Sequence, residues 1–134
     1  MSLFQSISHA TARDCVIDQK MDRVIFIVNP GEMGLAIGRG GSTIEKMQRA
    51  IAKTVEPVEW SDDPKQFIVN CLNRNYVKDI RMSEKSDGTK SATVVVDQAK
   101  KGAVLGKAGR NAEKARLLAR RHYSVETIHI VTPQ

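Results

Sequence analysis

Two short glycine motifs carry the clearest chemical signal in this chain. The first is Gly38-Arg39-Gly40-Gly41 and the second is Gly106-Lys107-Ala108-Gly109, and 68 positions separate their first glycines. Each motif follows an aliphatic residue, contains one basic residue and leads into a helix-forming run. A glycine loop before a helix presents bare backbone N–H groups and the positive end of the helix dipole, and both attract phosphate. Two copies therefore predict two modules that grip one polyanion.

The positive charge of the chain is concentrated in its second half. The 134 residues have a net charge of +6 and a pI near 9.6. Residues 1–68 contain 8 Lys and Arg against 9 Asp and Glu, whereas residues 69–134 contain 13 against 6. From Lys100 to Arg121, eight basic residues stand against Glu113 alone. This asymmetry indicates nucleic acid or an anionic membrane surface as partner, with a solvated basic helix as the alternative. We expect the second module to supply most of the electrostatic affinity.

Several other kinds of site are not indicated. No apolar run approaches the roughly 18 residues that span a bilayer, and the first residues lack the features of a signal peptide, so a cytoplasmic location is expected. Cys15 and Cys71 have no Cys or His partner at metal-ligand spacing, which favours free thiols. The three histidines and the carboxylates are dispersed, and His129 is expected to face solvent from an alternating strand. The sequence therefore predicts neither an enzyme nor a bound metal or cofactor.

Strand and helix signals recur in the same order in both halves. The β-branched runs 24–28 and 92–96 each end ten positions before a glycine motif, and weaker strand signals precede them. Each half reads helix, strand, strand, helix, glycine loop, helix, strand. The turn-rich stretch 61–64 is the natural boundary, which predicts one domain over residues 1–61 and a second over residues 62–134.

Local patterns make more detailed predictions around the two motifs. Ser42 and Glu45 have the spacing of a capping box at the start of a helix. Gly34 and Gly102 lie one turn before the motif glycines, which predicts close packing of a short helix. Residues 86–89 predict a hairpin turn. The apolar faces of the two helices after the motifs are expected to be Ile44, Met47, Ala50 and Ile51 in the first, and Ala112, Ala115, Leu118 and Ala119 in the second.

The first motif in its context resembles the signature of the KH domain. An aliphatic residue, Gly-x-x-Gly and a further aliphatic residue run from Ile37 to Ile44, after a strand and between two helices. The element order resembles the type II arrangement, α-β-β-α-α-β. The resemblance implies an α+β fold of two tandem type II KH domains, each a three-stranded sheet covered on one face by helices. Such a loop covers the backbone of about four nucleotides. An aromatic content of 4% fits an aliphatic base groove better than a stacking surface.

Two such modules in tandem resemble the archaeal NusA-like proteins, which are factors of transcription termination and antitermination. Residues 31–41 give the most specific match, and the resemblance covers essentially the whole chain. It implies a monomer that binds single-stranded RNA, with RNA polymerase or other transcription factors as candidate partners. It also implies that the polymerase-binding N-terminal domain and the S1 domain of bacterial NusA are missing. A KH protein of the ribosome or of ribosome biogenesis, binding rRNA, is the alternative.

The resemblance also assigns the residues that contact RNA. The two loops would contribute Gly38, Arg39, Gly40, Gly41, Gly106, Lys107, Ala108 and Gly109, with Arg39 and Lys107 meeting phosphate. The apolar residues beside them would line the base grooves, namely Leu35, Ile37 and Ile44 in the first and Val104, Leu105 and Ala112 in the second. Part of this apolar set could equally belong to the core. Arg110 and Lys114 would add basic contacts behind the second loop.

Overall fold

The computed structural model describes residues 2–133, and the chain forms two compact units, Met1–Trp60 and Ser61–Gln134. The elements of the first unit are α1 (Ser2–Ser8), β1 (Ala12–Asp18), β2 (Arg23–Val28), α2 (Met33–Ile37), α3 (Ser42–Ile51) and β3 (Thr54–Glu59). Those of the second unit are α4 (Pro64–Cys71), β4 (Val77–Glu84), β5 (Lys90–Val96), α5 (Lys101–Leu105), α6 (Arg110–Tyr123) and β6 (Val125–Val131). Both units have the order α-β-β-α-α-β, which confirms the predicted type II arrangement.

Each unit contains one mixed three-stranded sheet. Its central strand is the second strand of the unit in chain order. In the first unit the order is β1-β2-β3, with β1 antiparallel and β3 parallel to β2. The second unit repeats this pattern with β4, β5 and β6. The short turns after β1 and β4 allow antiparallel pairing, whereas a parallel neighbour needs a crossover connection. In each unit the two helices that flank the glycine loop form this crossover, so the loop lies in the middle of the connection that completes the sheet.

The core of the first unit lies between its helices and one face of its sheet. Alternate residues of β2 point to the same face, and Val24, Phe26 and Val28 are buried there. Phe4 of α1 stacks on Phe26, with ring centroids 4.4 Å apart. The remaining buried members of this cluster are Ala10, Ala36, Met47 and Val55. The cluster explains why one face of the sheet is covered by α1, α2 and α3.

The core of the second unit follows the same plan with smaller side chains on its long helix. Buried side chains alternate along β5, and α6 buries the four residues of its predicted apolar face. Phe67 of α4 packs edge-to-face against the ring of Tyr123, with centroids 5.6 Å apart. The Tyr123 hydroxyl donates to the backbone carbonyl of Ser61. Burial raises the pKa of the Cys71 thiol to about 12, so this cysteine is an unreactive thiol at neutral pH.

Two local predictions concerning the hairpin and β6 are confirmed, and one concerning α3 is wrong. The hairpin between β4 and β5 turns over residues 86–89, where Lys85 N–H donates to the Thr89 carbonyl at 2.8 Å. His129 is exposed on β6. Ala50, however, is exposed instead of buried. At about 100° per residue it lies about 120° away from Ile44, and Gln48 takes the inner position.

Neither a membrane-spanning helix nor a metal cluster is found among residues 2–133. None of their helices is long and apolar enough to cross a membrane. No group of three or more His, Cys, Asp or Glu side chains in the same range could hold a metal ion.

A fully buried arginine joins the three strands of the first sheet. Arg23, at the start of β2, has a side chain with 0% exposure. Its Nε lies 2.8 Å from Asp18 Oδ2 at the end of β1, and its Nη1 lies 3.0 Å from Glu56 Oε2 on β3. Its Nη2 finds no hydrogen-bond acceptor among the described residues. A buried charge is tolerated only when it is paired, and the two carboxylates supply the pairing for this guanidinium. The same contacts favour the observed register of β1 and β3 against β2.

Breaking this triad should destabilise the first unit. We expect Glu56→Leu to lower the free energy of unfolding by about 3 kcal/mol, because it leaves the buried guanidinium with Asp18 alone. Urea unfolding followed by Trp60 fluorescence measures the change, since Trp60 is the single tryptophan of the chain. The control is Lys53→Ala, which removes an exposed pair with Asp22 and should cost below about 1 kcal/mol. Equal losses for the two variants would contradict the role given to Arg23.

Candidate nucleic-acid interface

The two glycine loops have the same backbone conformation. Each is a single 3-10 turn, Arg39–Gly41 between α2 and α3 and Lys107–Gly109 between α5 and α6. The first glycines, Gly38 and Gly106, have φ/ψ angles of 76°/170° and 79°/167°. The last glycines, Gly41 and Gly109, have angles of 80°/12° and 75°/19°. The duplicated motif in the sequence is therefore a duplicated structure.

The first glycine of each loop has a positive φ and little space for a side chain, and the restriction is stronger at Gly38 than at Gly106. A Cβ atom on Gly38 would lie 2.2 Å from Oγ1 of Thr43, and one on Gly106 would lie 3.0 Å from the Asn111 side chain. Thr43 and Asn111 are the second residues of α3 and α6. Each loop is therefore folded back onto the helix that follows it, which points the loop and the helix N-terminus in one direction.

The predicted capping box at Ser42 is wrong. Ser42 is the first residue of α3, with helical angles of −62°/−37°, and the cap position belongs to Gly41 in the left-handed conformation. Gly109 holds the equivalent position before α6. Neither cap makes a side-chain hydrogen bond. Because a glycine is at the cap, no cap side chain competes with a phosphate for the amide groups at the helix N-terminus.

The basic residues inside the loops are exposed, but those behind the second loop differ from expectation. Arg39 and Lys107 are exposed at equivalent positions, and Arg110 is half-buried. Lys114 is only 8% exposed, and its charge acts on the buried Cys71 thiol. It lies four residues before Leu118, on the face of α6 that packs into the core. The assignment of Lys114 as an RNA contact is therefore corrected.

The apolar residues beside the first loop divide between surface and core. Leu35 is 50% exposed and Ile37 is 36% exposed, so both reach the surface beside the loop. Ile44 is partly buried and packs against the core cluster. Ala36, between the first two, is fully buried. Of the three residues predicted to line the first groove, Leu35 and Ile37 are therefore exposed and Ile44 packs on the core.

The second groove differs from its predicted composition. Val104 is fully buried and Ala112 is 2% exposed, so both are core residues and neither can line an open groove. Val104 is 68 positions after Ala36 and takes the same inward place on its short helix. Leu105 is half-buried, and the exposed Ala103 takes the position of Leu35. The surface beside the second loop therefore exposes less aliphatic side chain than the surface beside the first.

The helices after the loops also reach the outer strands, through residues that the sequence patterns did not single out. In the first unit, the side chain Oε1 of Gln48 accepts a hydrogen bond from Val55 N–H at 3.1 Å. Arg116, 68 positions later, donates from Nη2 to the Ile128 carbonyl at 3.3 Å. Arg120 donates to the Glu126 carbonyl at 3.2 Å. Two of the eight basic residues of the segment 100–121 therefore bind β6. Arg116 lies 68 positions after Gln48, so the spacing of the glycine motifs could have identified the two as equivalent residues.

Gly34 and Gly102, which lie in the short helices before the loops, do not pack closely against other groups. A Cβ atom added to Gly34 or Gly102 would meet nothing within 4 Å, so the prediction of close packing is wrong. Their carbonyls instead accept hydrogen bonds from Gly38 N–H at 2.9 Å and Gly106 N–H at 3.0 Å. These bonds end the short helices and begin the loops.

Comparison with known proteins gives consistent results. The family described as KH domain matches residues 1–62. A probable transcription termination protein NusA of Halococcus morrhuae is 35% identical over 130 residues, which are 97% of this chain and 91% of that protein. A protein of the same description from Methanocaldococcus jannaschii is 29% identical over 131 residues, 98% of this chain and 70% of that protein. The crystal structure of APE1850 has a TM-score of 0.88 at 37% identity, covering 97% of this chain and 94% of that one. The similarity thus extends over both units.

The third position of the two loops offers a matched test of backbone strain. Ala108 has φ/ψ angles of 56°/25°, and its counterpart Gly40 has angles of 61°/22°. A left-handed alanine is strained by roughly 1 kcal/mol, and a Cβ atom on Gly40 would have open space around it. We expect Ala108→Gly to stabilise the protein by up to about 1 kcal/mol and Gly40→Ala to destabilise it by a similar amount.

Thermal and urea unfolding of both variants measure this difference. One substitution removes a Cβ atom and the other adds one, at positions with the same backbone conformation. The wild-type protein is therefore the reference for both variants. If Gly40→Ala were as stable as the wild type, the loop of the first unit could not require the left-handed conformation described.

Proposed function

This chain belongs to the archaeal NusA-like family of KH-domain proteins, and from that premise we propose that it is a non-enzymatic, single-stranded RNA-binding factor of transcription termination and antitermination. The observation that carries the proposal is the pair of glycine loops with one backbone conformation, each with an exposed basic residue at its second position. Its archaeal relatives are described as probable transcription termination proteins. The RNA is taken to be the nascent transcript in the cytoplasm, bound by a monomer, and RNA polymerase is a candidate partner.

Each loop grips RNA through its phosphates. Ser42 N–H and Arg110 N–H donate to the carbonyls of Arg39 and Lys107. The cap positions before α3 and α6 hold glycines, so no cap side chain stands between a phosphate oxygen and the remaining amides of the first turn. The helix dipole favours negative charge at this end, and Arg39 or Lys107 adds a full positive charge beside it. Contacts to the phosphate backbone position the strand without reading its sequence.

The bases lie in the grooves next to the loops. In the first unit, Leu35 and Ile37 offer exposed aliphatic side chains against which an unstacked base can pack. The second unit offers the smaller Ala103 and Leu105 there, but carries more positive charge around its loop. We therefore propose that the first loop contributes more to base contacts and the second more to electrostatic affinity. At about four nucleotides for each loop, the two together take about eight.

A negative charge inside either loop should weaken RNA binding without disturbing the fold. Position 40 has open space and a left-handed backbone, which Asp and Asn both tolerate. We expect Gly40→Asp to weaken binding of a 12-nucleotide RNA by about tenfold or more, because its carboxylate faces the phosphates. Gly40→Asn, of the same size without the charge, should stay within about threefold of the wild type. Fluorescence anisotropy at fixed salt measures both affinities.

The same pair of substitutions at Ala108 tests the second loop. There the loss for Ala108→Asp should exceed that at position 40, since the second loop lies in the more basic segment. Asp and Asn variants that bind RNA equally well at both positions would contradict phosphate binding by these loops.

Crosslinking in cells tests the biological role. Ultraviolet crosslinking followed by sequencing of the bound RNA should recover nascent transcripts, with reads enriched towards their 3′ ends. The variant that carries Asp at both position 40 and position 108 is the control and should lose this enrichment. Recovery of mature rRNA in place of nascent transcripts would refute the transcription role and favour a ribosomal one.

A further inference from the structure

A small cavity lies beside the second glycine loop but outside it. It has a volume of about 220 Å³ and is lined by Asn75, Tyr76, Val77, Lys78, Asp97 and Lys100. We propose that this cavity is a stacking subsite for one nucleobase of the RNA strand that the second loop holds. The inference rests on the proposed function, because the loop must first hold the strand.

The chemistry of the lining residues suits a base. Tyr76 contributes a half-buried aromatic ring, and Lys100 Nζ lies over it, 5.0 Å from the centroid, so a stacked base takes the place of this ammonium or uses the opposite face. A base stacked on an aromatic side chain gains affinity whatever its identity, because every base has a π-face. The exposed Lys78 and Lys100 supply positive charge for the adjoining phosphates. The volume is below the 300–1,000 Å³ common for ligand pockets, which suits one planar ring.

The position of the cavity places it along the path of the bound strand. Lys100 directly precedes α5 and Gly106 directly follows it, so at 1.5 Å per residue about 9 Å of helix separates the cavity from the loop. The 3-10 turn that carries Tyr76 contacts α5. Gly102 and Ala103, on the exposed surface of α5, carry small side groups. A strand that leaves the loop can therefore follow α5 closely to the Tyr76 ring.

The first unit shows that the fold does not require a Tyr–Lys pair at this place. Glu32 stands 68 positions before Lys100, and its Oε1 accepts a hydrogen bond from Thr11 N–H at 2.8 Å. Thr11 precedes β1 as Tyr76 precedes β4. Asn29, the counterpart of Asp97, accepts from Arg13 Nε at 2.9 Å. In the first unit, hydrogen bonds between the chain's own groups take the place of the contact between the aromatic ring and the ammonium.

The test is an affinity measurement on the full chain with a 12-nucleotide single-stranded RNA. We expect Tyr76→Leu, which keeps apolar bulk but removes the flat ring, to weaken binding by at least about fivefold. Tyr76→Phe, which keeps the ring, should stay within about twofold. The matched control in the first unit is Thr11→Leu, which should also stay within about twofold. Lys100→Gln, at an exposed position, provides a second variant that leaves the packing around Tyr76 in place and should weaken binding by about twofold to fivefold.

An abasic scan of the RNA tells stacking apart from a structural effect of the substitution. Removal of one base at a time from the oligonucleotide should reveal a position whose loss weakens binding to the wild type but not to Tyr76→Leu, which is the signature of a direct contact. If no position behaves in this way, or if Tyr76→Leu binds like the wild type while Lys107→Ala is weakened, the subsite is wrong and the RNA grip stands. If Lys107→Ala also binds like the wild type, the proposed function itself fails.

Discussion

The structure around each glycine loop depends on one close approach between backbone and side chain. A Cβ atom at Gly38 would clash with Thr43, and one at Gly106 would press against Asn111, and both glycines also have a positive φ. This contact folds the loop onto the second residue of the next helix, and the left-handed residues that follow complete the turn. Because the loop geometry is determined here, the exposed basic residue and the first residue of the next helix lie three residues apart at one place on the unit. The groove residues of α2 and α5 then lie beside that place because those helices end at the same glycines.

Within that common geometry the two units have diverged in side-chain chemistry. The first unit keeps glycine at the third loop position and aliphatic side chains at the groove, whereas the second has Ala108 and a more basic surrounding. The charge on α6 is partly committed to the unit itself, since Arg116 and Arg120 bind carbonyls of β6 and Lys114 is buried. The number of Lys and Arg residues in the sequence of this segment therefore overstates the positive charge that is available to a ligand. The division of labour that we propose for the two loops depends on the cations that remain at the surface, such as Arg39 and Lys107.

Much of this arrangement could be predicted from the sequence, because its signals are local. The β-branched runs and the glycine motifs at constant spacing predicted the order of elements in both units. The errors occurred where tertiary packing decides. Val104 and Leu105 are adjacent on a helix of five residues, too short for periodicity to show which one faces the core. Lys114 has the residue type of a surface cation, but its spacing to Leu118 places it on the core face of α6, where it is buried. Ser42 and Glu45 have the spacing of a capping box, but Gly41, in the left-handed conformation, is the cap residue and Ser42 is the first residue of the helix.

The place of the loops within the sheet connection has a consequence for the energetics of binding. Each loop lies midway along the crossover that brings β3 or β6 alongside the central strand, so the last strand of the unit is tethered through the loop. A ligand that binds only the ordered loop favours the folded unit by mass action. The free energy of that binding stabilises the sheet as well as the loop, because β3 or β6 is connected to the central strand through the loop. RNA bound at the loop therefore opposes local opening of the parallel strand pair that this connection joins.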